Sequence, residues 1–200
     1  MSLPPSRLLL LAAVAGSVLS LSAQPAAPAS APVPAGAVAP IPAPRARVSP
    51  HETIRAVVDG KSVVVVYGRP YSKAPRGNEI RKIWGVTVPY NEVWRLGSDE
   101  ATLLITEAAL DFGGTTVPAG AYSLHMLPVE NGTSKLIINK HIGQWGIPYT
   151  QAAEELARVD LSKAPLSSPL DQLTLALDAN GTLRIQWENL QFSAKFSVKK

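Results

Sequence analysis

Eight side chains between residues 67 and 100 are of the types that grip small molecules or move protons: Tyr67, Arg69, Trp84, Tyr90, Trp94, Arg95, Asp99 and Glu100. Arginine presents a planar fork that matches a carboxylate, and indole and phenol faces stack on apolar ring surfaces. Two readings follow. In the first, Arg69 and Arg95 are salt-bridged to acids such as Glu92 or Glu100 and pin a long loop, with Trp84 and Trp94 as its plugs. In the second, the same side chains line a cleft that holds an acidic or sugar-like ligand. Arg95 and Glu100 flank an expected turn at Leu96–Asp99 and should pair across it. Arg69 leaves a strand end with no acid beside it in sequence and is expected to face a ligand.

The same acids also bear on hydrolysis. Glycan hydrolysis uses two carboxyl groups in unlike environments, one of them kept protonated. Here Glu92, Asp99 and Glu100 sit beside arginines, which hold both members of such a pair ionised. The chain is therefore read as a non-enzymatic ligand- or partner-binding module, with a carboxylate-based hydrolase acting on a glycan as the alternative. The partner expected is a small molecule, a glycan or another protein.

Other chemistries lack their residues. There is no cysteine, which excludes thiolate nucleophiles, disulfides and Zn–Cys sites. His51, His125 and His141 show none of the spacings that place two ligands on one element, and no nucleophile elbow or phosphate-cradling loop occurs. No metal and no cofactor is expected. The chain has 19 basic and 15 acidic side chains, but Arg7, Arg45 and Arg47 precede Val48, so the remainder is close to neutral. Nucleic acid is not an expected partner.

The elements that must position the eight side chains are strands. Val63–Tyr67 enters the central run as an apolar strand and Thr102–Thr106 leaves it as another. Before them, Ile54, Ala56 and Val58 alternate with more polar neighbours, and Asp59-Gly60 supplies the two positive-φ residues of a type I′ hairpin turn. Further strands are expected at Thr115–Val117, Ala121–Leu127, Ser134–Asn139, Leu173–Leu177, Leu183–Trp187 and Phe192–Val198, separated by Gly- and Asn-containing turns. Residues 151–159 suit a short helix or a strand, and Pro165 and Pro169 bar its extension. Many short strands with almost no helix predict an all-β fold, an antiparallel β-sandwich of jelly-roll or immunoglobulin-like type.

Composition divides the chain into three. Arg7 precedes an apolar run from Leu8 to Leu21 that is too short to span a bilayer, and small residues follow at Ser22 and Ala23, the pattern of a cleaved signal peptide over residues 1–23. Residues 24–47 are almost wholly Ala and Pro and predict a disordered linker. Residues 48–200 form a single domain. A periplasmic or secreted location follows, with no transmembrane segment after processing.

The blocks SPHETI, YGRP, IWGVTVPYNEVWRLGSDEAT, PAGAYSLHMLP and NKHIGQWG, in this order, resemble a bacterial family described as domain of unknown function 2911, across nearly the whole stretch from Ser49 to Val198. The resemblance implies an exported protein with a domain of this extent, and it brings no mechanism. Where that family usually shows Gly-Ala-Asn-Glu-Ala-Thr, this chain has Gly97-Ser98-Asp99-Glu100-Ala101-Thr102, which replaces an amide donor by a carboxylate.

Overall fold

The computed structural model describes residues 46–74, 76, 77 and 79–199. The expected signal peptide and all but the last two residues of the expected linker lie outside them. Among the described residues no helix is long and apolar enough to cross a membrane.

The fold is all-β and antiparallel, as the alternating patterns predict. Strands β1 (His51–Val58), β2 (Lys61–Gly68), β3 (Thr102–Thr106), β6 (Gly120–Leu127), β7 (Lys135–Asn139) and β8 (Glu155–Asp160) form one sheet in the order β1-β2-β3-β6-β7-β8. Short strands β4 (Leu110–Phe112) and β5 (Thr115–Val117) leave that meander and form a second sheet in which β4 pairs with both β5 and β11 (Ser197–Val198). A long hairpin of β9 (Ser162–Asp178) and β10 (Thr182–Lys195) makes the facing ribbon of a sandwich-like arrangement. The β1–β2 turn has φ of +47° at Asp59 and +76° at Gly60, the conformation expected of that dipeptide.

Side chains alternate across the sheet. On one face Val63, Val65 and Tyr67 of β2, Leu104 of β3, Leu124 and Met126 of β6, and Leu136 and Ile138 of β7 are buried in one core with Leu173, Leu175, Ile185, Trp187 and Phe192 of the ribbon. The other face is also covered at β6 and β7, where Ser123, His125, Ile137 and Asn139 are buried. Its cover is the segment 140–151, whose Gln144 donates to Ser123 Oγ at 2.9 Å and whose Tyr149 ring lies 4.8 Å from that of His125.

Residues 151–159 resolve into a single 3-10 turn (Ala152–Glu154) followed by β8. The prolines do not act as barriers. β9 runs through both Pro165 and Pro169, with the ladder slipping register opposite Gln186–Leu190. A two-stranded ribbon has only one ladder, so a proline on its open side forfeits no bond, and a bulge absorbs the rest.

Candidate functional site

The eight side chains do not converge on one site. Tyr67 is buried opposite Glu52 in the β1–β2 register; its hydroxyl donates to Glu52 Oε2 at 2.7 Å and accepts the Leu175 amide at 3.0 Å. Burial raises its pKa, so it stays a neutral phenol. Arg69 is ion-paired with the same Glu52 at 3.1 Å and donates to Leu173 O and Thr174 Oγ1, both at 3.1 Å. The acid that Arg69 lacks in its own neighbourhood comes from β1, through a pairing that local sequence does not reveal. Arg69 thereby clamps the end of β2 to β9.

Trp84 and Trp94 are core. Their rings meet edge to face at 6.2 Å, Trp94 stacks on Trp187 at 5.9 Å, and each indole N–H donates to a carbonyl, Trp187 O and Gly97 O respectively. Tyr90 is half-buried and packs on Gly85, where an added Cβ would approach its ring to 2.9 Å. Arg95 reaches the 140–151 segment: it donates to Trp145 O at 3.2 Å and its guanidinium lies 4.9 Å from the Trp145 ring centroid. The expected pairing of Arg95 with Glu100 is replaced by one between Glu100 and Arg47, with Arg47 Nε at 3.1 Å from both carboxylate oxygens. Leu96 and Asp99 hold φ of +55° and +64°, so the turn is not the simple reversal that flanking positions suggest. Left-handed non-glycine residues are uncommon and cost of order 1–3 kcal/mol unless the surroundings fix them.

Asp99 is what fixes this turn. It is buried and accepts from the backbone amides of Val48 (3.3 Å) and Ser49 (3.4 Å), with His51 Nε2 3.1 Å from Oδ2. Two of these partners are backbone donors, which a carboxylate accepts. Partial burial pushes the neighbouring Glu100 carboxyl up, but hydrogen bonds and charge from Arg47 outweigh it and lower the pKa. Both acids are committed to holding the segment Arg47–His51, and neither is placed as a free acid or base.

That segment separates two cavities. Arg47 and His51 border one of about 160 Å³ behind β2 and β3. Val48 and Ser49 border a larger one, about 390 Å³, walled by Pro70, Tyr71, Lys73, Ala74, Arg81 and Asp171. After Gly68 the chain runs beside β9: Leu173 N donates to Pro70 O, Ser72 N donates to Asp171 O at 2.6 Å, and Tyr71 bridges Gln172. It then turns back so that Lys73 pairs with Ile80 and Arg81 N donates to Ser72 O. Arg81 is held by Nε and Nη2 on the Ser72 and Tyr71 carbonyls, while Tyr71 as a residue is 44% exposed. Tyr71, Lys73 and Arg81 belong to the aromatic and basic excess of the central run, but no feature of the sequence ranks them above their neighbours. Asp171 comes from a strand a hundred residues away.

The family model described as protein of unknown function (DUF2911) matches residues 49–196. The chain belongs to this family. No curated protein and no solved structure matches it. The matched span of the DUF2911 domain contains every wall of both cavities except Arg47 and Val48.

The role of Arg69 has a direct test. Arg69→Ala removes three polar links and leaves Glu52, among the described residues, with the Tyr67 hydroxyl, but Glu52 remains partly solvated. Chemical denaturation is expected to show a loss of about 1–2 kcal/mol. An unchanged midpoint would mean that the clamp is idle.

Proposed function

We propose that this DUF2911 protein is an exported, non-enzymatic binding module whose ligand, a small sugar-like molecule bearing an acidic group, lies in the cleft beside Tyr71. The observation that carries this reading is the composition of the cleft wall: an exposed phenol ring, two cations and one acid around a space of about 390 Å³. A sugar acid uses each of these. Its ring face stacks on Tyr71, its carboxylate meets Lys73 and the outer face of the Arg81 guanidinium, and a hydroxyl donates to Asp171. Arg81 is already held by backbone carbonyls, so little side-chain entropy is lost when it binds. The leader-like N-terminus supports export. Hydrolysis gains no support from Asp99 and Glu100, which are both engaged with the Arg47–His51 segment.

Calorimetric titration with glucuronate and galacturonate, beside glucose as the neutral control, tests it. The acids are expected to bind and glucose to bind more weakly. Tyr71→Ala and Lys73→Ala should each cost about tenfold in affinity, roughly 1.4 kcal/mol, with an unchanged unfolding midpoint. Equal binding of acid and neutral sugar, or no loss in either variant, would refute the assignment. Intact-mass analysis of the exported protein should show a chain that starts after about residue 23.

A further inference from the structure

His125 is the polar side chain least explained by its surroundings. It sits in the middle of β6 and is fully buried, and neither ring nitrogen has a hydrogen-bonding partner among the described residues. Buried polar groups nearly always have partners, and an imidazolium in this place would be worse off than a neutral ring. Burial accordingly pushes its pKa down to about 4, opposed only weakly by the Glu155 charge.

The groups around it offer no place for a proton. Glu155 of β8 is the nearest acid, and it already accepts from Arg158 Nε at 2.7 Å, Arg158 Nη2 at 2.8 Å and the Tyr149 hydroxyl at 2.8 Å. The Arg158 bonds, the largest effect, together with Tyr149, lower the Glu155 pKa, so it stays ionised and occupied. Asn139 of β7 is neutral and spends its amide on the Tyr149 hydroxyl and Gln151 O. Gly146 lies close to both Arg95 and the ring, since a Cβ added there would be 2.9 Å from Arg95 Cβ and 3.2 Å from His125 Nε2. An arginine offers no acceptor.

The segment over His125 is held mainly by polar contacts. Of residues 140–151 only Gly146 is buried, and Gly143 and Gly146, with φ of +80° and +83°, are natural hinges. Its anchors include Ala101 N to Gln144 O at 3.0 Å, Lys140 N to Glu154 O, Gln144 to Ser123, Arg95 to Trp145, Asn139 to Tyr149 and Gln151 O, His141 N to Asn139 and Tyr149 to Glu155, with ring contacts at Trp145 and Tyr149. A segment held by hydrogen bonds with almost no apolar burial opens at a lower free energy than the core beneath it.

We propose that residues 140–151 are an acid-released strap whose trigger is His125: protonation of the buried ring, which has no acceptor among the described residues in the closed state, drives the strap off the back of the sheet and lets water reach β6 and β7. The direction follows from linkage. His125 is neutral when the strap is closed and has an ordinary pKa near 6.5 when it is open to water. The closed state is therefore fully favoured above pH 6.5 and loses ground as the pH falls to about 4. The change in the opening equilibrium is at most tenfold per pH unit, roughly 150-fold by pH 4 and about 300-fold in the limit below it.

Hydrogen exchange of the full chain, read as protection factors corrected for the intrinsic pH effect, tests this. Between pH 7.5 and pH 4 the amides of residues 141–151 should lose protection by up to roughly 150-fold, while those of β9 and β10 change less than about threefold. His125→Phe, and His125→Leu as a second non-titrating variant, should hold the strap's protection flat over the same range. NMR titration of the wild-type ring should give a midpoint well below 6.5 that coincides with strap opening. The proposal is overturned by strap protection that does not change with pH. It is equally overturned by a variant that still loses protection on acidification, or by a ring that titrates at its ordinary pKa.

Discussion

Trp187→Ala is expected to cost the domain about 4–5 kcal/mol, the upper end of what a single buried aromatic contributes. Trp187 is among the largest fully buried side chains and stands where the β10 ladder slips register, between Gln186 and Glu188. It joins three parts of the chain. Its ring stacks on Trp94 of the central run at 5.9 Å, its carbonyl accepts the Trp84 indole N–H at 3.2 Å, and its own indole donates to Asp171 O at 3.3 Å. Trp84 in turn lies 5.0 Å from Phe192. A side chain of this kind buries roughly 150–250 Å², worth about 4–6 kcal/mol at 25 cal/mol per Å² before strain or relaxation. Truncation also leaves a cavity under the long loop, whose Ile83, Trp84, Val88, Trp94 and Leu96 share this core. Urea unfolding of the variant beside wild type measures the loss, and a value under about 1 kcal/mol would show that the loop does not depend on this stack. Because Asp171 also walls the Tyr71 cleft, uronate affinity should fall together with stability in this variant, unlike in Tyr71→Ala.

The strands were legible because their signals are local. Asp59-Gly60 supplies a turn conformation that few dipeptides adopt, and Thr102–Thr106 is a short apolar run bounded by β-branched threonines. The β9 strand was legible only in part, since Pro165 and Pro169 read as stops when the partner strand and its bulge are not in view. The site was less legible than the fold. The central run was correctly marked as unusual, but its residues are divided among a core, a clamp, a latch and a cleft by partners far away in sequence. Glu52 reaches Arg69 through strand register, Arg47 reaches Glu100 across 53 residues, and Asp171 closes the Tyr71 cleft from β9. His125 carries no sign of its isolation in the sequence. The PAGAYSLHMLP block alternates as a half-exposed strand does, and only the strap across the back of the sheet turns its polar face into an interior.

Gly68→Ala is expected to cost about 3 kcal/mol or more, and the reason is space. Gly68 ends β2 opposite His51, and its φ is not in the left-handed region, so the backbone conformation would accept alanine. The added Cβ would not fit. It would meet Ser98 Oγ at 2.6 Å with the Ser98 carbonyl oxygen nearer still, and a backbone oxygen cannot swing aside as a side chain can. The approach is close on both sides, since Ser98 N donates to Gly68 O at 3.3 Å and a Cβ on Gly97 would lie 3.0 Å from the same oxygen. Displacing Ser98 moves Asp99, the residue that holds Val48, Ser49 and His51 and so sets one wall of the Tyr71 cleft. Stability and uronate binding should therefore fall together, and hydrogen exchange should quicken first at residues 48–51. Gly60→Ala is the control: nothing lies within 4 Å of its Cβ, and only its φ of +76° resists substitution, at about 1 kcal/mol. If the two variants prove equally stable, the backbone contact between residues 68 and 98 does not constrain the fold, and the coupling from Gly68 through Asp99 to the cleft fails with it.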